Sequence, residues 1–293
     1  MNPLSEEYSH KIIGGKGKLG LCLFLELQRQ FDHKTVAVFH SNFLNDPKSI
    51  SESQNQRPSI FYWCAGSAKA SSTKEECEKD LNALKSFLLT SSVMAKPFKL
   101  VFLSSGGTVY GNSPGEVDET FPVNPENYYA EMKVACEVLI QEAANQGQLQ
   151  ALILRLANVY GHTSPMKPSG LVDSALHSKH LNLFSSLNSI KQYGLNCDYS
   201  KNLINLVDCF EETNFRLEIR NLFPPQYFSV NTVIKLVQEF SNRKLEISLA
   251  ESEESLPLQN VLLRNHLAVK KYPEYWSHLV EYLNDHESRT HWY

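Results

Sequence analysis

Lys11-Ile12-Ile13-Gly14-Gly15-Lys16-Gly17-Lys18-Leu19-Gly20 is the stretch on which the fold turns. A short apolar run ends in glycines, and leucines then recur at helical spacing from Leu19 to Gln30. Gly14, Gly17 and Gly20 stand at GxxGxxG spacing. Glycine allows a tight turn and a close backbone approach, and the helix that follows offers unpaired N–H groups and the positive end of its dipole. A strand–loop–helix unit of this kind suits a pyrophosphate, so the three glycines are expected to bind a dinucleotide.

Outward from the loop, the pattern repeats. Thr35-Val36-Ala37-Val38-Phe39, Ile60-Phe61-Tyr62-Trp63-Cys64, Leu100-Val101-Phe102-Leu103 and Ala151-Leu152-Ile153-Leu154 are continuous apolar runs. Runs without alternation fit strands covered on both faces. Helical patterns lie between them, from Lys74 to Leu89 and from Tyr129 to Ala143. The expected fold is α/β, a doubly wound parallel sheet of Rossmann type. Residues 1–163 form the dinucleotide domain in this reading, and 164–293 a smaller substrate lobe that partly returns to the sheet. The polar stretch SNFLNDPKSISESQNQRPS leaves little room for a full helix and strand, so one unit of the usual pattern is expected to be trimmed. Further helices are expected from Val230 to Phe240 and from Tyr275 to Leu283.

Composition narrows the classes. The chain has 293 residues, 42% of them hydrophobic, and a net charge of −4. No Lys/Arg run marks a nucleic-acid surface, and no apolar run reaches the roughly 18 residues of a membrane span. The six cysteines form no CxxC pair. They read as reduced thiols in a cytoplasmic protein, and no metal site is expected. The polar start MNPLSEEYSH lacks the apolar core of a signal peptide.

The chemistry concentrates at Tyr129-Ala130-Glu131-Met132-Lys133. Tyr129 and Lys133 are four apart on a helix and share a face. A phenol ordinarily loses its proton near pH 10 and is a poor base at pH 7. A neighbouring ammonium favours the phenolate, which can then take a hydroxyl proton while hydride leaves the same carbon. Such pairs also occur by chance on helix surfaces. Here the pair follows Leu103-Ser104-Ser105-Gly106-Gly107-Thr108-Val109-Tyr110-Gly111, a strand running into hydroxyls and glycines. Ligands in such sheets bind at the carboxyl ends of strands. The second strand ends at Phe39-His40-Ser41, without the acid that would accept from an NAD ribose. With Lys16 in the loop, this leans towards NADP.

Four ordered motifs resemble the extended short-chain dehydrogenase/reductase family of nucleotide-sugar epimerases, dehydratases and ketoreductases. They are the glycine loop, FYWCAG at 61–66, SSGGTVYG at 104–111 with YAEMK at 129–133, and LRLANVYG at 154–161. The resemblance implies an NAD(P)(H) cofactor held by Gly14, Gly17, Gly20, Lys16, His40 and Ala65. It implies a catalytic set of Tyr129, Lys133 and a hydroxyl. The usual hydroxyl position falls on Gly106, so Thr108, or else Ser105, is expected to replace it. Asn158 matches a family asparagine that contacts the substrate nucleotide. KNLINLVD at 201–208 resembles the family's RDFIYVDD segment, with Lys201 at the phosphate-gripping arginine. A 4,6-dehydratase is disfavoured, because Gly107 and Thr108 stand where those enzymes resemble one another in an Asp-Glu pair. A nucleotide-sugar epimerase is preferred, with a ketoreductase and a non-catalytic dinucleotide-binding protein as alternatives. The resemblance further suggests a role in polysaccharide biosynthesis and a homodimer through the helices at 74–89 and 129–143.

Overall fold

Alternation along each central strand decides which layer its side chains join. In β3 (Ser59–Trp63), Phe61 and Trp63 enter one buried cluster, while Ile60 and Tyr62 enter another across the sheet. The computed structural model describes residues 8–31, 36–39, 58–91, 98–113, 115–161, 168–213, 216–242, 244–249, 259–266 and 275–289. His40 and residues 41–57 of the expected trimmed segment lie outside these residues.

The main sheet contains β1 (Ser9–Ile13), β2 (Val36–Phe39), β3, β4 (Phe98–Ser105), β6 (Leu149–Leu156) and β10 (Leu217–Leu222). Its order is β10-β6-β4-β3-β1-β2, and all its pairings are parallel. Helices α2 (Lys74–Ser91) and α4 (Tyr128–Asn145) cover one face, where Leu84, Phe87 and Ile140 meet Phe61, Phe102 and Ile153. Helices α1 (Lys18–Gln30) and α6 (Asn196–Thr213) cover the other, where Leu23, Leu27, Leu203 and Ile204 meet Ile12, Tyr62 and Leu154. The doubly wound parallel sheet is therefore present. The chain steps from β1 to β2 on one side and then to β3 on the other. That reversal opens a crevice at the carboxyl ends of β1 and β3.

A smaller lobe follows β6. Its sheet runs β11-β9-β7, from β7 (Asn158–Tyr160), β9 (Ile190–Leu195) and β11 (Tyr227–Ser229). Beside it, β8 (His180–Leu183) pairs with β12 (Glu246–Leu249). Helices α5 (Leu171–His177), α7 (Val230–Ser241) and α8 (Leu279–Arg289) share a core around Tyr160, Leu176, Tyr193 and Ile234. A short pair, β5 (Glu116–Val117) and β13 (Leu262–Leu263), packs beneath the one-turn helix α3 (Gly106–Val109). Both α6 and β10 come from beyond residue 163, yet they complete the main sheet and one of its helical layers.

The helix expected from Tyr275 begins instead at Leu279. The backbone just before it is committed elsewhere. Tyr275 N–H donates to Asn202 Oδ1 at 3.1 Å and Ser277 N–H to Asp198 Oδ2 at 2.7 Å. Both acceptors sit on α6, and the contacts hold the segment in a non-helical path.

Candidate active site

The glycine loop is built for backbone proximity. Gly14 has a φ of 90°, and a Cβ there would lie 2.5 Å from the Ala65 nitrogen beyond β3. A Cβ on Gly20 would lie 2.4 Å from the Gly14 carbonyl oxygen. Gly15 is equally constrained, by the Val38 side chain at 2.4 Å. Gly17 is the N-cap of α1 and supplies no side-chain cap, so the first-turn N–H groups have no partner from that source. A cradle closed to any Cβ, beside an uncapped helix N-terminus, fits a pyrophosphate. Lys16 is exposed on this loop. Ala65 lines the cleft below it.

Lys18, the first residue of α1, is a feature the motif reading missed. Its Nζ donates to Ser169 O at 2.7 Å and to Val159 O at 3.4 Å, and it pairs with Asp173 Oδ2. Asp173 lies in the first turn of α5 and is fully buried. Its other oxygen accepts from Gly161 N–H at 2.9 Å. A cation at a helix N-terminus opposes the helix dipole, and the buried Asp173 carboxylate offsets that here.

One cleft of about 370 Å³ gathers Ala65, Gly66, Ser105, Thr108, Tyr129, Lys133 and Asn158. The carboxyl end of β4 delivers Ser105, and α3 turns directly from it to present Thr108. Helix α4 starts at Tyr128 because the Asn127 side chain accepts from Ala130 N–H at 3.0 Å. That start sets Tyr129 and Lys133 on the face towards β4. Lys133 Nζ donates to Leu103 O at 2.9 Å and lies 5.7 Å from the centre of the Tyr129 ring. Ser105 makes no cap bond to α3, and Thr108 Oγ1 makes only a long 3.4 Å bond to Ser105 O. Gly106 leaves no space for a hydroxyl of its own: a Cβ would lie 2.5 Å from Leu263 Cδ1 and 3.1 Å from Arg155 O.

Beneath the cleft, a buried network fixes α4 to the sheet. Glu137, one turn beyond Lys133, accepts from Ser104 Oγ at 2.5 Å and pairs with Arg155 at 2.7 Å. Arg155 also donates to Tyr110 Oη at 2.8 Å, and Tyr110 donates to Asn221 Oδ1 at 2.8 Å. The network joins β4, α4, β6 and β10, so the elements bearing the candidate catalytic groups cannot slide independently. Cys64 and Cys136 also line the cleft. Burial pushes their thiols up to about 12 and about 11, so neither serves as a thiolate near neutral pH.

On the substrate side, Asn158 Nδ2 donates to Gln192 O at 3.0 Å, which aims the amide along the β7–β9 pair. Lys201 is not brought to the cleft. It sits inside α6 on an exposed position, with Glu26 of α1 and Cys197 in its electrostatic surroundings. The segment 201–208 is wholly helical. A lysine on a strand that runs into a helix stands ten positions earlier, in Lys191-Gln192-Tyr193-Gly194-Leu195-Asn196-Cys197-Asp198. The apolar positions on which the motif reading of 201–208 rested are those of the amphipathic α6. Lys191 Nζ donates to Gln259 Oε1 at 2.9 Å, and burial lowers its ammonium to about 8.

Comparison with known proteins identifies the family and the fold. The sequence model described as the NAD dependent epimerase/dehydratase family matches residues 12–208. A UDP-glucose 4-epimerase of Mycolicibacterium smegmatis is 42% identical over 76 residues, 25% of this chain and 24% of that protein. The dTDP-4-dehydro-6-deoxyglucose reductase of Escherichia coli is 25% identical over 158 residues, 52% of this chain and 49% of that protein. The chain thus spans about half or less of these curated relatives. The crystal structure of UDP-glucose 4-epimerase from Brucella ovis in complex with NAD shares the fold, with a TM-score of 0.78 at 17% identity, over 95% of this chain and 98% of that one. Among the described residues, no helix is long and apolar enough to cross a membrane.

Proposed function

The chain belongs to the NAD dependent epimerase/dehydratase family, and from that premise we propose that it is an NAD(P)-dependent nucleotide-sugar epimerase. The observation that carries the reading is convergence. Tyr129, Lys133, Ser105 and Thr108 line the same cleft as Ala65 and Gly66, at the carboxyl ends of β3 and β4.

Gly14, Gly17, Gly20 and Ala65 hold the dinucleotide in this proposal, and the bound dinucleotide supplies and accepts hydride at the sugar carbon. Tyr129 Oη takes the proton from the sugar hydroxyl and later returns it. Lys133, anchored on Leu103 O, stabilises the phenolate that takes this proton and that forms again when the proton is returned. Thr108 or Ser105 orients the sugar oxygen towards Tyr129. Asn158 and Lys191 position the nucleotide end, the latter in place of Lys201. The shut cradle at Gly14 keeps the backbone close to the phosphates.

A second reading, an NAD(P)H-dependent ketoreductase, is favoured by the 158-residue match to the Escherichia coli reductase. Incubation with UDP- and dTDP-sugars, with and without NADPH, decides between the two. Sugar interconversion without added cofactor supports the epimerase. Stoichiometric NADPH consumption on 4-keto sugars supports the reductase. Absence of both reactions, with no dinucleotide bound, overturns the enzyme reading and leaves Gly106 as the mark of a lost hydroxyl.

A further inference from the structure

Away from the catalytic groups, two thiols from distant parts of the chain meet. Cys22 lies on the buried face of α1 and Cys197 is the second residue of α6. Their Sγ atoms are 3.3 Å apart. A disulfide needs roughly 2.05 Å, so the sulfurs must approach by a little over about 1 Å. The two helices pack along each other over the same face of the sheet, which holds the pair in place. Cys197 is exposed and Cys22 is buried. An oxidant therefore reaches one sulfur while its partner waits directly behind it.

The surroundings favour Cys197 as the attacking group. The hydrogen bond from the Cys22 thiol holds the Cys197 thiol below its ordinary range, although burial and the Asp198 and Glu26 carboxylates oppose this. Lys201 and the α6 N-terminus act in the same sense as the hydrogen bond. Cys77 and Cys136 lie on the opposite face of the sheet, in the α2–α4 layer.

We propose that Cys22 and Cys197 form a reversible dithiol–disulfide site that reacts with peroxides and locks α1 to α6. The Cys197 thiolate attacks one oxygen of hydrogen peroxide and the O–O bond breaks, giving a sulfenic acid and hydroxide. Cys22 Sγ then displaces hydroxide from that sulfur and gives up its proton. Two thiols and one peroxide become one disulfide and two waters, and a dithiol reductant reverses the change. The bond ties the helix that opens on the glycine loop to the helix that leads out of β9. It closes a long loop of chain, which restricts the unfolded state strongly.

The test treats the full chain with hydrogen peroxide, then unfolds it, alkylates free thiols and maps the peptides. The expected result is the loss of two thiols, a linked peptide pair containing Cys22 and Cys197, and recovery with dithiothreitol. Tm should rise by about 5 °C in the oxidised protein. Cys22→Ser and Cys197→Ser should each lack both the linked pair and the rise. Cys197 carried to sulfinic acid with Cys22 still alkylated, or links among other cysteines only, would overturn the site. A Cys22–Cys197 link without a rise in Tm would overturn the lock. The mapping on the unaltered chain does not depend on either variant folding.

Discussion

Lys18 and Asp173 form a largely buried pair that joins the first turn of α1 to the first turn of α5. The first of these turns belongs to the glycine loop and the second to the smaller lobe. With Ser169 O and Val159 O also bonded to Lys18, a single side chain draws both walls together where a pyrophosphate is expected.

Removing only one partner exposes the cost of that arrangement. Lys18→Met leaves the buried Asp173 carboxylate with the Gly161 N–H as its remaining partner, and unfolding free energy should fall by about 3 kcal/mol. Lys18→Met/Asp173→Asn should lose less than the sum of the single changes. Urea unfolding of the four proteins gives the coupling, and strictly additive losses would show that the pair is not coupled. Dinucleotide affinity, measured by fluorescence titration, should weaken in both Lys18 variants.

Tyr129→Phe should keep the dinucleotide Kd within about twofold and lower kcat by about 10²–10⁴-fold. Steady-state kinetics beside nucleotide titration checks this, and unchanged kcat removes Tyr129 from the proton transfer. Thr108→Val should reduce kcat more than Ser105→Ala. The Thr108 hydroxyl is committed only to a 3.4 Å bond within its own turn and is free to turn towards the sugar.

Gly106 and Leu263 form a matched pair, because the Leu263 methyl occupies the volume a serine side chain would need. Gly106→Ser alone should destabilise the fold by about 1–3 kcal/mol through overpacking. Leu263→Ala in the same chain opens that volume. The double variant should regain stability relative to the sum of the two changes, and gain turnover from a hydroxyl at the family's position. Thermal unfolding and activity of the three variants decide it.

How much of this was legible in the sequence follows from the range of the forces involved. The β1–loop–α1 unit and the Tyr129–Lys133 pair are local patterns, and the structure has the strand–loop–helix unit and sets the pair on one helix beside the cleft. Cysteine spacing showed no CxxC pair, yet Cys22 and Cys197 meet, because packing of α1 on α6 joins residues that no spacing rule relates. Lys201 does not line the cleft, because the segment 201–208 lies inside α6, whose amphipathic spacing carries apolar positions like those of the motif it resembles. The helix start at Tyr275 was misplaced because Asn202 and Asp198, distant in sequence, claim its backbone donors. Lys18 opposes the dipole of its own helix, but the partner that offsets this lies 155 positions away.

Lys191, proposed above to hold the nucleotide end, should make both stability and nucleotide binding depend on pH. Burial lowers its ammonium from 10.5 to about 8, so between these values the unfolded chain binds the extra proton. The Lys191 contribution to unfolding free energy should therefore grow with pH across that window, and Lys191→Met should remove it. Lys11, also lowered to about 8 by burial, acts in the same sense, whereas the buried Cys64 and Cys136 thiols, raised from 9.0 to about 12 and about 11, oppose both lysines above pH 9. Sugar-nucleotide affinity should move the opposite way, falling as pH passes through about 8 and Lys191 loses its charge. Calorimetric titration at pH 7 and pH 9 checks this, and equal affinities would separate Lys191 from the phosphate.

Because α6 and β10 arrive late in the chain yet complete layers begun early, the two halves are interwoven rather than strung in series. A recombinant fragment ending after β7 would lack β10, one of the two neighbours of β6, and, without α6, would leave Leu23, Leu27 and Tyr62 wet. Such a fragment should be insoluble, whereas the whole chain should melt in a single transition. Swapping the sugar-handling half between relatives therefore demands carrying α6 and β10 with their host, a constraint that no cut at a single point can satisfy.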